Sequence, residues 1–583
     1  MAPFLGWLGE LRDRRTLRAD VTAGISVALV LVPQSMAYAQ LAGLPAHLGL
    51  YAAFLPPAIA ALFGSSRHLS TGPVAMVSLI AAATLANLSH RGLLPPDGAG
   101  LLAAAAWMAL LAGAFLLAVG AARLGALVNL ISHPVAIGFT SAAALIIGTS
   151  QLSLLCGVQA EKAAHHYETV WRIVCAAFER PHWPTLAMSA FAFATLAGVR
   201  RWNRRLPNVL IAAAVTSVVA WLSGYGGRIV GPIAGGLPSP HLPRIDPVLL
   251  PALLPGALTI ALIGLLEAVS ISKAVAAGSG QRIDINQEMI GQGLANLSAG
   301  LLRAFPVSGS FSRTAVNHAA GAVTGFSSVV ASLAVGAVLL WLTPLLHHLP
   351  QATLAAIIVA AVVHLVRVRE MLHAWRIHPH DGFAAFLTFG LTLWLAPDFE
   401  IAIPIGVGAT LALYIYRTMY PHLARLSRHP DGTLRDARNH GLEVCRHILV
   451  LRFDAGLYFG NAHHFEDLVL GAAADAPEAR FVVIDGGGIN RIDASGEYAI
   501  RTVLARLRAR HIDVGFADIK KTVYDTLDRA GLVALLGAGR FFPHADAAVQ
   551  HAWRTMGCDH ADRCPLRAHL PSSMETAARS SPS

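Results

Sequence analysis

Charged side chains are sparse in this sequence. Asp, Glu, Lys and Arg make up 13% of its 583 residues, against about 25% in an ordinary soluble domain. The shortage falls on the residues before about 418, where long apolar runs recur and charges retreat to the joints between them. A wholly soluble chain is excluded. Cysteine is also scarce: Cys156, Cys175, Cys445, Cys558 and Cys564 are scattered and suggest no disulfide framework. Cys558, His560 and Cys564 show no fourth ligand, so no metal is expected, and no cofactor. Aromatic residues, at 7%, form no basic-aromatic face of the kind that single-stranded nucleic acid needs. The formal net charge of +10 is therefore assigned to arginines flanking membrane spans. No nucleophile–base pair or metal-ligand cluster lies in the apolar runs, which argues against an intramembrane enzyme. A cleavable signal peptide is not expected, because Arg12, Arg14, Arg15 and Arg18 precede a run too long for a signal h-region. The first span reads as a retained anchor.

Apolar surface is abundant. Hydrophobic residues are 55% of the chain and the mean hydropathy is +0.55. Runs of about 20 such residues cross about 30 Å of hydrocarbon. Fourteen spans are read near 20–43, 47–63, 71–89, 101–120, 124–150, 183–199, 208–223, 248–277, 286–302, 311–325, 326–345, 352–366, 383–396 and 399–418. With the N-terminus inside, the even-numbered spans end at Arg67, Arg123, the run Arg200-Arg201-Trp202-Asn203-Arg204-Arg205, Arg282, the set Arg367, Arg369 and Arg376, and Arg417. An opposite joint reads Ala396-Pro397-Asp398-Phe399-Glu400. The opposite joints are poorer in clustered bases, a bias that puts both termini in the cytoplasm of a cell inner membrane.

Two spans are unlike ordinary membrane helices. The third opens Ser70-Thr71-Gly72-Pro73-Val74-Ala75-Met76, and the tenth Phe305-Pro306-Val307-Ser308-Gly309-Ser310-Phe311-Ser312-Arg313. Both are short and Gly/Pro-interrupted, and each is third in its set of seven. Such matched segments are the best sequence pointer to a transporter's binding site. Helix N-termini present unpaired N–H groups and a positive dipole end, so two aimed at one point make an anion site. Gly72 and Gly309 keep side chains out of the way, Pro73 gives up an N–H that a first turn does not use, and Ser310 or Ser312 can cap the helix or donate to a ligand.

These segments carry a family resemblance. Leu31-Val32-Pro33-Gln34-Ser35-Met36-Ala37-Tyr38-Ala39, Ala42-Gly43-Leu44-Pro45 and Gly49-Leu50-Tyr51 resemble the signature of the sulfate permease (SulP) family. Gly64-Ser65-Ser66-Arg67-His68, Thr71-Gly72-Pro73-Val74-Ala75 and Gly309-Ser310-Phe311-Ser312-Arg313-Thr314 continue it. The resemblance covers nearly the whole chain. It implies a polytopic α-helical membrane protein of seven-plus-seven inverted repeats, with core and gate domains and a homodimeric assembly in the lipid bilayer. It further implies a midplane anion site lined by Gln34, Tyr38, Val74, Ala75, Ser312 and Arg313. Some bacterial members that this sequence resembles carry an acidic residue where Gln40 stands, so any proton coupling here needs another group.

Glu267, inside the eighth span, is that candidate, since ionisable residues at such depth face the bundle interior and have a partner. Arg313 is the expected partner, a cation in the first turn of a helix being opposed by the macrodipole. The alternative is a permanent Glu267–Arg313 pair that only pins the eighth helix to the tenth. Lys273 is expected to snorkel, and His133 and His318 to be structural.

The character changes after Tyr416. The expected layout is a cytoplasmic segment 1–19, a transport domain 20–418, a basic linker 419–443, an α/β domain 444–557 and a tail 558–583, disordered from 571. His447-Ile448-Leu449-Val450-Leu451-Arg452-Phe453 and Phe481-Val482-Val483-Ile484-Asp485 read as buried strands. Gly486-Gly487-Gly488 is neither a P-loop nor a dinucleotide fingerprint. This region resembles the domain shared by sulfate transporters and anti-sigma-factor antagonists (STAS). By that resemblance, Asp493 and Ser495 in Ile492-Asp493-Ala494-Ser495-Gly496 are regulatory acidic and phosphoacceptor positions; otherwise Ser495 is an N-cap. The expected function is secondary active oxyanion transport, foremost proton-coupled sulfate uptake. Bicarbonate or dicarboxylate transport or exchange is the alternative in the same fold, and a non-transporting anion sensor the alternative of another class.

Overall fold

The computed structural model describes residues 3–556 and 564–567, apart from 95–97, 127–130, 160–162, 164, 204, 205, 234, 245, 246, 397 and 398. Arg204, Arg205, Pro397, Asp398, Cys558, His560 and the tail beyond 567 lie outside the described residues. The chain forms two compact units, one ending at Thr410 and one beginning at Leu411.

The first unit is helical. It runs α1 (Arg14–Leu41), α2 (His47–Phe54), α3 (Pro56–Phe63), β1 (Thr71–Gly72), α4 (Ala75–His90), α5 (Ala99–Ala121), α6 (His133–Ser150), α7 (Trp183–Trp202) and α8 (Asn208–Ser223). It continues with α9 (Leu249–Ser279), α10 (Ile285–Leu301), β2 (Ser308–Gly309), α11 (Phe311–Ala319), α12 (Phe326–Ala337), α13 (Gln351–Val362), α14 (Pro379–Trp394) and α15 (Ala402–Met419), which ends in the second unit. Every one of the fourteen expected spans contains a helix. Among the described residues, seven helical stretches are long and apolar enough to cross a membrane, beginning at Arg14, Ala99, His133, Leu249, Phe326, Gln351 and Ala402.

Boundaries moved where local chemistry outweighs hydropathy. α1 starts at Arg14 rather than 20 because Asp13 caps it, accepting from the Arg15 N–H at 3.0 Å. The fifth span starts at His133, not 124: Arg123 turns left-handed at φ 57°, and Pro134 sits in the first turn of the later helix. The tenth ends at Ala319, not 325, ahead of Gly321 at φ 89°. Two amphipathic helices, His166–Glu179 and Val368–Ile377, lie outside the expected spans. The core is alanine- and glycine-rich, and backbones meet closely. A Cβ on Gly113 of α5 would stand 2.7 Å from the Gly293 carbonyl of α10, so small residues set that helix pair.

The second unit holds a six-stranded sheet of order β4-β3-β5-β6-β7-β8. Its strands are β3 (Leu423–Arg428), β4 (Leu434–Asp436), β5 (Ile448–Phe453), β6 (Phe481–Asp485), β7 (Asp513–Ala517) and β8 (Phe541–Phe542). β5 to β8 run parallel, and β3 pairs antiparallel with β4 and β5. α16 (Ala462–Ala474) and α17 (Ala494–Ala509) cover one face through Phe465 and Val503 against Leu449, Leu451 and Ile484. α18 (Lys521–Arg529) adds Val523 to that face, and α19 (Ala545–Met556) covers the other through Ala548 and Val549 against Ile448, Val450 and Val483. Burial on both faces explains the unbroken apolar runs of β5 and β6.

The expected linker is a correction. β3 and β4 fall inside 419–443, so the domain begins near Leu423 rather than 444. The Leu-Ala-Arg-Leu-Ser-Arg run looks like a basic tether, yet Ala424 and Leu426 are buried beneath its arginines, and Ser427 donates to the Glu443 carbonyl. A chain ending at Met419 should run as a monodisperse peak on size exclusion in detergent. One ending at His440, which keeps β3 without β5, should aggregate. Equal behaviour would show that β3 is not integral to the sheet.

Candidate functional site

The two interrupted segments meet. β1 and β2 pair antiparallel, Thr71 opposite Gly309 and Gly72 opposite Ser308. The Ser310 N–H donates to the Ser70 carbonyl at 2.9 Å, and the Ser70 N–H to Thr314 Oγ1 at 3.0 Å. From this ladder each chain turns straight into a helix, α4 behind Pro73-Val74 and α11 behind Ser310. Their N-termini therefore start from one place. Ser310 caps α11, its Oγ accepting from the Arg313 N–H at 3.5 Å. Val74 caps α4 with no side-chain acceptor, leaving the first N–H groups of that helix for a ligand. Gly72 has φ 149°, and a Cβ there would stand 3.2 Å from the Arg313 guanidinium.

A cavity of about 610 Å³ opens at this point. Gln34, Tyr38, Val74, Ala75, Ser312 and Glu267 all line it, with Gly309 and Ser310. Arg313 does not. It is completely buried behind the lining, donating from Nη1 to the Pro73 carbonyl at 2.9 Å, while Nε and Nη2 have no partner. Gln34 Oε1 is likewise buried without a partner. The expected Glu267–Arg313 ion pair is a correction: among the described residues Glu267 makes neither an ion pair nor a hydrogen bond. The ladder draws Arg313 under the Gly72-Pro73 turn, whereas Glu267 faces the open cavity from α9.

The ladder rests on a polar stripe of α10 that the sequence reading did not single out. Glu288, Gln292 and Asn296, one turn apart, are all buried. Glu288 Oε2 accepts from the N–H groups of Ser65 and Ser66 at 2.9 and 3.0 Å and from Ser65 Oγ at 3.2 Å. Gln292 donates to Thr71 Oγ1 at 2.8 Å. Asn296 exchanges two bonds with the Val307 backbone, each 2.9 Å. Spacing of four residues in an otherwise apolar helix was the available signal. Asp20, also buried, accepts from the N–H groups of Val323 and Thr324 at 2.7 and 3.1 Å. His318 packs edge-on to His68, His133 opens α6, and Lys273 is exposed.

In the second unit Asp493, not Ser495, caps α17. Its Oδ1 accepts from the Gly496 N–H and its Oδ2 from the Phe459 N–H, both at 2.8 Å. Ser495 lies in the first turn, half-buried, and its hydroxyl makes no hydrogen bond among the described residues. Gly487 donates to Asp485 Oδ1 at 2.9 Å, closing the glycine turn behind β6.

A helical unit with several membrane-length apolar helices, two half-helices converging on one cavity and an α/β domain in the second unit define a class of membrane transporter. The chain belongs to the sulfate permease family, whose description matches residues 17–388, and the STAS domain matches residues 441–548. It is 33% identical over 570 residues to the chloroplastic sulfate transporter 4.1 of Arabidopsis thaliana, covering 94% of this chain and 82% of that one. It is 34% identical over 548 residues to a probable sulfate transporter of Mycobacterium tuberculosis, covering 92% and 96%. In fold it is similar to murine solute carrier 26 member A9, with a TM-score of 0.87 at 22% identity over 95% and 94% of the two chains.

Glu288→Ala should lower the thermal midpoint of the detergent-solubilised protein. Four donors, the Ser65 N–H and hydroxyl, the Ser66 N–H and the Gln292 amide, lose an acceptor, at a cost of about 1–3 kcal/mol for each buried group left unpaired. An unchanged midpoint by scanning fluorimetry would remove Glu288 from the support of the ladder.

Proposed function

We propose that the chain carries inorganic oxyanions, sulfate foremost, across a cell's plasma membrane by proton-coupled secondary active transport. The observation that carries this reading is the β1–β2 ladder, which starts two helix N-termini beside one cavity with the buried Arg313 behind it. The sulfate transporters among its relatives support the choice of anion. Arg200, Asn208 and His364 line the same cavity. The arginine-rich joints assign those positions to the cytoplasmic side, so this conformation faces inward. Assembly as a homodimer and regulation through Ser495 belong to the same reading. A phosphate in the first turn of α17 would meet the favourable end of its dipole.

The charges suggest how coupling works. Two helix N-termini contribute about +0.5 each and Arg313 about +1, roughly +2 together. Ionised Glu267 reduces this to about +1, and its protonation restores about +2. A divalent oxyanion is better matched by the protonated state, so anion binding favours proton uptake and protonation favours anion binding.

Two substitutions test this. Arg313→Ala should weaken sulfate binding about tenfold or more, since about 1.4 kcal/mol is a factor of ten, while the protein stays monodisperse. Unchanged affinity in proteoliposomes would take Arg313 out of the site. Glu267→Gln, a mimic of the protonated carboxyl, should still bind and exchange sulfate yet lose accumulation driven by a proton gradient. If accumulation persists unaltered, Glu267 is not the coupling residue.

A further inference from the structure

The described residues of the second unit include two thiols that anion transport leaves unused. Cys445 is buried just ahead of β5, and Cys564 lies on the short segment 564–567 beyond α19. Their sulfurs are 3.4 Å apart. Two anchors hold that segment in place. Leu566 is completely buried in the apolar layer with Ala545, Ala548 and Val549. Its carbonyl accepts from Arg428 Nε and Nη2 at 3.3 and 3.2 Å, and Arg428, on β3, also pairs with Asp546. Cys564 is thus held near Cys445 by the anchoring of Leu566, two residues further on. A disulfide has sulfurs about 2.05 Å apart, so closure asks for only a small approach.

The pair is also chemically polarised. The Cys564 S–H donates to Cys445 Sγ, which accepts from the Ile448 N–H as well at 3.4 Å. These donors hold the Cys445 thiol down at about 6 against the opposing effect of burial. The same bond pushes the Cys564 thiol up. Near neutral pH, Cys445 is the thiolate nucleophile and Cys564 the proton source. Cys564 is only half-buried, so the pair reaches solvent.

We propose that Cys445 and Cys564 form a reversible disulfide that fastens the C-terminal segment to the α/β domain, with hydrogen peroxide as oxidant. The Cys445 thiolate attacks one peroxide oxygen; the O–O bond breaks, hydroxide leaves, and Cys445 becomes a sulfenic acid. The Cys564 sulfur then attacks the Cys445 sulfur, its proton goes to the departing hydroxide, and water leaves. Two sulfurs are oxidised by one electron each and one peroxide is reduced by two. A dithiol reductant reverses the bond and becomes the disulfide itself. Thiols facing the cytoplasm are ordinarily kept reduced, so the bond acts as a sensor and not as a permanent staple.

The full-length protein in detergent, reduced and then exposed to hydrogen peroxide, is alkylated with N-ethylmaleimide, digested and weighed by mass spectrometry. The expected product is a linked pair of peptides carrying Cys445 and Cys564, two hydrogens lighter than the free peptides and split by dithiothreitol. Cys564→Ser should leave a sulfenic acid on Cys445 that dimedone captures, and Cys445→Ser should leave Cys564 unoxidised. Full alkylation of both cysteines in the unsubstituted protein after peroxide would overturn the proposal. So would a Cys445–Cys558 link, or one zinc per chain that is lost in Cys445→Ser.

Discussion

The membrane unit depends on a ladder of two residues against two. Hydrocarbon supplies no partner for exposed backbone, so a chain that leaves the helix at membrane depth must be satisfied by protein or by a watery cavity. Here the two breaks satisfy each other. Thr71-Gly72 pairs with Ser308-Gly309, and the Ser70 and Ser310 backbones add the flanking bonds. One constraint then does two things: it repairs the backbone, and it starts two helix N-termini beside the same cavity. Moving either half-helix alone would break the ladder.

α10 is the frame for that ladder. Glu288, Gln292 and Asn296 reach the loop before β1, β1 itself and the residue before β2. Each of these side chains is buried and bonded to backbone or hydroxyl groups that the bilayer leaves no other way to satisfy. The close approach of α5 and α10 at Gly113 and Gly293 locks the frame to its neighbour. The geometry of the cavity's half-helices is thereby tied to helix packing some distance away.

Much of this was legible in the sequence. Hydropathy placed a helix in each of fourteen spans, and Gly72, Pro73, Gly309 and Ser310 marked the two half-helices. Gln34, Tyr38, Val74, Ala75 and Ser312, which sit on segments that the family motifs flagged, line one cavity with Glu267, which was marked by its charge inside an apolar span. What failed was pairwise geometry. Hydropathy does not say that Arg313 turns away from Glu267 toward the Pro73 carbonyl. A charge count reads β3 as a tether, because its arginines are visible in sequence and its burial is not. Glu288 was passed over for a related reason: its partners, Ser65 and Ser66, are more than two hundred positions away, and only the fold joins them.

The separation of Arg313 from Glu267 also bears on the proposed coupling. A close buried pair would hold both charges in one state, because breaking it leaves an uncompensated charge at a cost of several kcal/mol. Such a pair pins helices and resists titration. Here the guanidinium is anchored to a backbone carbonyl and keeps two donors unpartnered, while the carboxylate faces the cavity with no partner of its own. In the proposed coupling, Arg313 supplies the fixed positive charge and Glu267 the charge that changes. In that reading an oxyanion and a proton act on the same electrostatic balance without exchanging a contact. On the proposed function, this division between a fixed charge and a variable one is what lets a proton gradient do work on an anion.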